Sequence, residues 1–197
     1  MSSINIRYIA LDSEERRIAH METVLRELVD VAASLGIDLK VGRISGVKVT
    51  EPGEVPEYDS QSRMKKFGYG LSANEIGCFL AHRECWKIIS TMSDPCVVME
   101  SDCQIDWSEI DVLKVMIQLS AHRHVFDIVR LQGTFPKNEL VCRTVLSMGS
   151  VKLSQPLGDP MGAVAYMLTP EAATVLVSKT RRFFVPVDVF LGSTWIH

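Results

Sequence analysis

The sequence predicts an α/β fold with a mostly parallel central sheet flanked by helices, and three observations predict it. Short β-branched apolar runs alternate with amphipathic stretches of helical period. The first two such runs are joined by a helical crossover long enough to return the chain in the same direction, so their strands should pair in parallel. An interior run, Cys96 to Met99, is apolar at every position, as strands buried on both faces are.

Taken in order, Ile4 to Leu11 (INIRYIAL) is the first strand, and it ends at Asp12-Ser13. Glu14 to Leu35 then carries Ile18, Met21, Val24, Leu25, Leu28, Val31 and Ala32 at helical spacing and stops at Gly36, after which Ile37 to Ile44 is the second strand. Residues 45–70 are rich in Gly, Pro, Glu and Ser with little periodicity, which predicts an irregular, partly mobile excursion of the kind that carries functional lids. Ser72 and Glu75 form an S-x-x-E capping box for a helix that Ile76, Phe79, Leu80 and Trp86 carry to about Ser90. Asp94-Pro95 turns the chain into the Cys96 to Met99 strand, at whose carboxyl end stands Glu100-Ser101-Asp102. Ile110 to Ala121 reads as a helix, Phe126 to Leu131 as a strand and Val141 to Leu146 as a weaker one. Gly162 to Leu168 is a further strand. Thr169-Pro170-Glu171 then opens a helix to about Lys179, with Thr as cap, Pro in the first turn and Glu complementing the dipole.

At 197 residues and 47% hydrophobic, without repeat, low-complexity tract or linker, the chain should form one domain over residues 1–197. A net charge of −3 with no stripe of Lys and Arg interleaved with aromatics argues against nucleic acid as a partner. Met1 to Tyr8 lacks the features of a signal peptide and no apolar run approaches the length of a spanning helix, so the expected location is cytoplasmic. The five cysteines are odd in number and lack CxxC spacing, which points to free thiols, mostly buried, rather than disulfides or a zinc site.

The acidic triplet is the first candidate for chemistry. Carboxylates gathered at the end of a buried strand repel one another unless something neutralises them, and a divalent cation does so directly. On an extended backbone Glu100 and Asp102 leave the same side and can converge on one hard cation, with positions left for water and a diphosphate. Strand carboxyl ends are also where open α/β sheets bind ligands. A plain polar loop explains the same three residues. Glu75, Cys78, His82 and Cys85 share a helical stripe; Glu75 is accounted for by the capping box, and His82 suits either a hydrogen-bonded structural role or a site.

Taken together, YIALDSEERR at 8–17, LSANEIGCFLAHRECW at 71–86, VVMESDCQI at 97–105, FDIVRL at 126–131, GAVAYMLTPEAATVL at 162–176 and PVDVFLG at 186–192 resemble glycosyltransferase family 25. The most specific block is E-I-G-C-x-x-x-H-x-x-x-W, from Glu75 to Trp86. The resemblance implies a GT-A-like, Rossmann-type sandwich and a metal-dependent, inverting galactosyltransferase-like enzyme. It would move a hexose, galactose above all, from a UDP-sugar to a lipooligosaccharide or other glycan acceptor at the cytoplasmic face of a membrane. It implies that Glu100 and Asp102 hold Mn²⁺ or Mg²⁺, that Leu11, Asp12, Arg16, Glu75, His82 and Glu100 line the donor site, with Arg17 as a second choice beside Arg16, and that Asp188 is the general base. Two positions depart from the family pattern: Ser101 replaces the middle acid of E-D-D, and Ala10 replaces the Asn of I-N-L-D. The alternative is a catalytically impaired glycosyltransferase-like binding or scaffold protein. A nucleotidyltransferase shares the frame, but no Gly-rich phosphate loop follows the first strand.

Overall fold

A computed structural model describes residues 3–104, 112–134, 142–149, 151–156 and 161–192. Strand β1 (Ser3–Ala10) leads through α1 (Glu15–Ser34) to β2 (Asp38–Ser45). Helices α2 (Ser60–Phe67) and α3 (Ala73–Ile89) precede β3 (Cys96–Glu100), and α4 (Val112–Ala121) precedes β4 (Ile128–Thr134). A hairpin of β5 (Cys142–Met148) and β6 (Val151–Pro156) follows, then β7 (Met161–Leu168), α5 (Pro170–Lys179) and α6 (Val187–Gly192).

The main sheet has the order β2-β1-β3-β7-β4. β1 pairs in parallel with both β2 and β3, as the crossover predicts, and β3 is the central strand. The expectation of a mostly parallel sheet needs a correction at β7, which runs antiparallel to both of its neighbours. Four strands share one direction and β7 is reversed between β3 and β4. Its apolar sequence did not reveal this, because a strand buried on both faces reads alike in either direction.

Both faces of the sheet are covered, and residue parity assigns each side chain to one of them. Cys96 and Val98 of β3, with Tyr166 and Leu168 of β7, face α3, α5 and α6 in a core built around Phe79, Trp86 and Phe190. Val97 and Met99, with Ala165 and Met167, face α1 and α4 in a second core. The same alternation carries past the end of β3: Glu100 falls on the α3 side, and Ser101 turns towards the start of α1.

Residues 45–70, expected to be irregular, contain α2. Asp59 caps it by accepting a hydrogen bond from the Ser62 backbone N–H at 3.0 Å, and Gly68 closes it at φ 80°, a left-handed conformation that suits glycine. The segment is pinned at both ends. Asp59 N–H donates to the Phe183 carbonyl, Phe183 N–H donates to the Glu57 carbonyl, and Leu71 N–H donates to the Tyr58 hydroxyl. Only eight residues long and with its sole buried residue an arginine, α2 offered no apolar stripe to recognise.

The capping box of α3 is present as expected, with Glu75 accepting from the Ser72 backbone and Ser72 accepting from the Glu75 backbone. One turn on, Gly77 lets the chain after β2 lie against α3, because a Cβ on Gly77 would collide with the Val47 carbonyl oxygen. Backbone can yield here only by moving the segment after β2. Gly77→Ala is therefore expected to destabilise the fold by about 1–3 kcal/mol, the usual cost of overpacking. Urea unfolding should show a lower midpoint at unchanged slope; an unchanged midpoint would mean that Val47 shifts freely.

Candidate active site

The central feature is a chain of buried hydrogen bonds that ends on Glu100. The Trp86 indole N–H can only donate, and it donates to the Tyr166 hydroxyl at 2.7 Å. The same hydroxyl is hydrogen-bonded to His82 Nδ1, 2.9 Å away. The Glu100 carboxylate can only accept, so His82 Nε2 donates to its Oε1 at 2.9 Å. The chain thus starts on a group that can only donate and ends on one that can only accept. His82 is fully buried and Tyr166 nearly so, so the chain is shielded from water.

The Cys78 thiol donates to the same Glu100 oxygen at 3.5 Å. Burial presses the Glu100 carboxyl towards its neutral form, but the hydrogen bond and the charge of His82, with a smaller part from the Cys78 thiol, outweigh that and hold its pKa below the ordinary glutamate value. Burial pushes the Cys78 thiol far up, helped by the negative charges of Glu100, Asp188 and Asp102. Three carboxylates therefore act on one point, two from the end of β3 and its turn and one from α6.

Two cavities meet at this point, and Asn74, Cys78 and Glu100 line both. The first, about 510 Å³, opens at the carboxyl ends of β1 and β3 and is lined by Leu11, Glu14, Arg17, Val47, Lys48, His82, Ser101 and Asp102 among others. The second, about 680 Å³, lies towards α2 and α6, with Arg63, Tyr69, Glu75 and Asp188 on its walls.

The sequence-derived candidates divide between these places. Leu11, His82, Glu100 and Asp102 come together at the first cavity. Glu75 and Asp188 stand in the second, also with Glu100. Asp12 and Arg16 line neither: the Asp12 carboxylate accepts from Arg43 Nη1 at 2.9 Å and Ser45 Oγ at 3.2 Å, and Arg16 is exposed while its neighbour Arg17 lines the first cavity. Asp102 arrives differently from the expected extended geometry. β3 stops at Glu100, and Cys103 N–H donates to the Glu100 carbonyl at 3.0 Å, so residues 101–102 form a turn.

Ser101, at the departure from the family pattern, donates its hydroxyl proton to Glu14 Oε2 at 3.1 Å. Glu14 also accepts from Leu11 N–H at 3.1 Å and from Arg17 Nη1 at 2.7 Å. A carboxylate is therefore present beside position 101, supplied from the start of α1.

Asp188 lies in the first turn of α6, where its Oδ1 accepts from the Val189 backbone N–H at 2.8 Å and its carbonyl accepts from Arg130 Nη2 at 3.0 Å. The helix is fixed by Phe190, which packs edge-on against Phe79 at 5.5 Å and alongside Trp86 at 6.2 Å.

Residues 4–191, which carry the EIGC helix, His82, the Glu100 strand end, Tyr166 and Asp188, are matched by the sequence model of Glycosyltransferase family 25 (LPS biosynthesis protein). The chain belongs to this family. A search of curated proteins found no match. Membership supports a transferase of lipopolysaccharide biosynthesis that uses a sugar donor and a glycan acceptor. Among the described residues no helix is long and apolar enough to cross a membrane. The cysteines are free, as expected, with Cys85, Cys96 and Cys103 buried, although Cys142 is exposed.

Sequence reasoning gave no part in the site to Tyr166, Trp86 or Glu14, although Trp86 closes the most specific block and Tyr166 lies in a matching segment. A tyrosine inside an otherwise apolar strand was the available signal, since a buried hydroxyl requires a partner.

The hydrogen bond to Glu100 has a signature in stability. In the wild type, metal-free, Glu100 stabilises the fold above the ordinary glutamate value of 4.5, and this contribution is lost as pH falls through its lowered native pKa. In His82→Leu burial prevails, so the native pKa rises and stability is lost as pH increases through it. The stability gap between the two proteins should therefore widen between pH 4.5 and neutrality, measured by urea unfolding in EDTA. A gap independent of pH would show that His82 acts on packing alone.

Proposed function

We propose that this family 25 protein is an inverting glycosyltransferase of GT-A type that transfers a hexose, galactose by family resemblance, from a UDP-sugar to a hydroxyl of a lipooligosaccharide or related glycan. The observation that carries the reading is the position of Glu100 as the shared wall of two cavities, with Asp102 lining one and Asp188 the other. A two-substrate transfer needs two adjoining pockets and a reaction point between them.

In this reading the first cavity takes the donor. Leu11 faces the nucleoside, and Arg17 and Lys48 meet the diphosphate, with Arg17 taking the part assigned to Arg16. Among the described residues Cys78, His82 and Glu100 form a group with donor atoms within 4.8 Å of one another. That trio does not suit a soft cation as it stands, because the Cys78 thiol is held protonated and His82 Nε2 carries a proton committed to Glu100. Oxygen donors fit a hard cation better, and Glu100 and Asp102 are the carboxylates that would hold Mn²⁺ or Mg²⁺. Such a cation would neutralise the charge that develops on the departing diphosphate.

The second cavity takes the acceptor. Asp188, with Oδ1 oriented by the Val189 N–H, removes the proton from the acceptor hydroxyl through its other oxygen. The oxygen attacks the anomeric carbon as the bond to UDP breaks, giving the glycoside and UDP, with the proton on Asp188. The protein would work on the cytoplasmic side, peripherally associated with the membrane that presents the acceptor.

Ser101 is the observation that favours the scaffold reading, and Mn²⁺-dependent hydrolysis of UDP-sugars separates the two without knowledge of the acceptor. Titration calorimetry should show that Asp102→Ala loses Mn²⁺-dependent UDP binding by tenfold or more, at little cost to stability; unchanged affinity would remove the triplet from the site. Ser101→Asp places a charge against Glu14. It should destabilise the metal-free protein by about 1–2 kcal/mol through an unpaired like charge, with recovery on adding Mn²⁺ in thermal melts. Asp188→Asn should lower kcat by about 10²–10⁴ while UDP binding is kept, the range expected for loss of a general base. Equal loss of both would assign Asp188 to donor binding instead.

A further inference from the structure

Arg63 poses a question that the proposed reaction leaves open. It is 4% exposed, on the inner side of α2, and its guanidinium carbon lies 4.2 Å from the centre of the Phe67 ring and 4.6 Å from that of Tyr69. Its Nε is buried without a hydrogen-bond partner, and among the described residues the side chain forms no ion pair. A buried cation held only by two aromatic faces lacks a counter-charge, and stacking offsets only part of the cost of its burial.

Arg63 lines the second cavity together with Glu75, Glu100 and Asp188, yet none of these acids pairs with it. One oxygen of each is engaged elsewhere. Glu75 accepts from the backbone and hydroxyl of Ser72, Glu100 from His82 and Cys78, and Asp188 from the Val189 N–H. Tyr69, 61% exposed, keeps a ring face available on the same wall. A planar five-donor cation beside an open aromatic face is the chemistry that receives a pyranose carrying an acid: the ring stacks on the aromatic and the acid takes the guanidinium.

We infer that Arg63 and Tyr69 form a subsite of the second cavity that selects an acceptor saccharide bearing an anionic group, a carboxylate or a phosphate monoester, close to the sugar that is glycosylated. The inference rests on the assignment of this cavity to the acceptor. It adds a preference that the transfer reaction itself does not require.

The test is saturation-transfer NMR and calorimetry on the full chain with UDP and Mn²⁺, using three probes: a neutral disaccharide, its uronate analogue and its 6-phosphate. Wild type should bind at least one acidic probe ten times more tightly than the neutral one, and comparison of the two acids tells carboxylate from phosphate. Arg63→Gln should abolish the preference while the affinity for UDP stays within twofold. Arg63→Lys should keep part of it, which guards against a misfolded glutamine variant. Tyr69→Ala should weaken neutral and acidic probes alike. Equal binding of all three probes by wild type, no binding of any, or a preference that survives Arg63→Gln would overturn the inference. UDP binding is read in the same samples, so failure of the donor assignment shows separately, as a wild type that binds no UDP.

Discussion

The geometry of the site depends on the hydrogen bond from His82 to Glu100, whose direction is set by the carboxylate, a group that can only accept. An ionised carboxylate cannot donate, so His82 Nε2 must present its proton to Glu100, while the Tyr166 hydroxyl accepts from the Trp86 indole and bonds His82 Nδ1. Buried polar networks contribute when every member is satisfied and cost stability when one is not. This one joins α3, β7 and β3, so the position of Glu100 is tied to the packing of the core. A strand-end carboxylate would otherwise be free to choose among rotamers.

The reversal of β7 serves the same end. Its antiparallel pairing sets Tyr166 directly across from Val98, on the face that α3 covers, so that the hydroxyl reaches both Trp86 and His82. Parity along β3 sends the next two residues apart, Glu100 to the α3 side and Ser101 to Glu14. The acids that line the two cavities thus come from four segments, the start of α1, the start of α3, β3 with its following turn and the start of α6. The sheet brings their charges together.

Much of this was legible in sequence and some was not, for physical reasons. The β1-α1-β2 unit, the α3 capping box, the central apolar strand and the helix opening at Thr169 rest on local signals, hydrophobic period and cap residues, that the chain displays directly. The direction of β7 is a non-local property, invisible in a strand buried on both faces. α2 was missed because a short helix held by a cap and by hydrogen bonds to distant residues has no apolar stripe. Among site residues, Glu100 and His82 stood out through the family pattern, but their contact joins positions eighteen residues apart in sequence. Arg63 and Glu14 carried no signal because charged residues in polar stretches usually lie in solvent.

The pairing of Tyr58 with Phe183, with its flanking backbone hydrogen bonds and the ring contact at 5.9 Å, ties the segment that carries α2 to the segment that leads into α6. Opposite walls of the second cavity therefore share a foundation made of main chain. Side chains facing the cavity can be exchanged without altering the spacing of that foundation, since peptide groups bond irrespective of the residue that bears them. Such a scaffold is permissive to evolutionary drift: substitutions can accumulate on these walls while Glu100 stays in register with both of them.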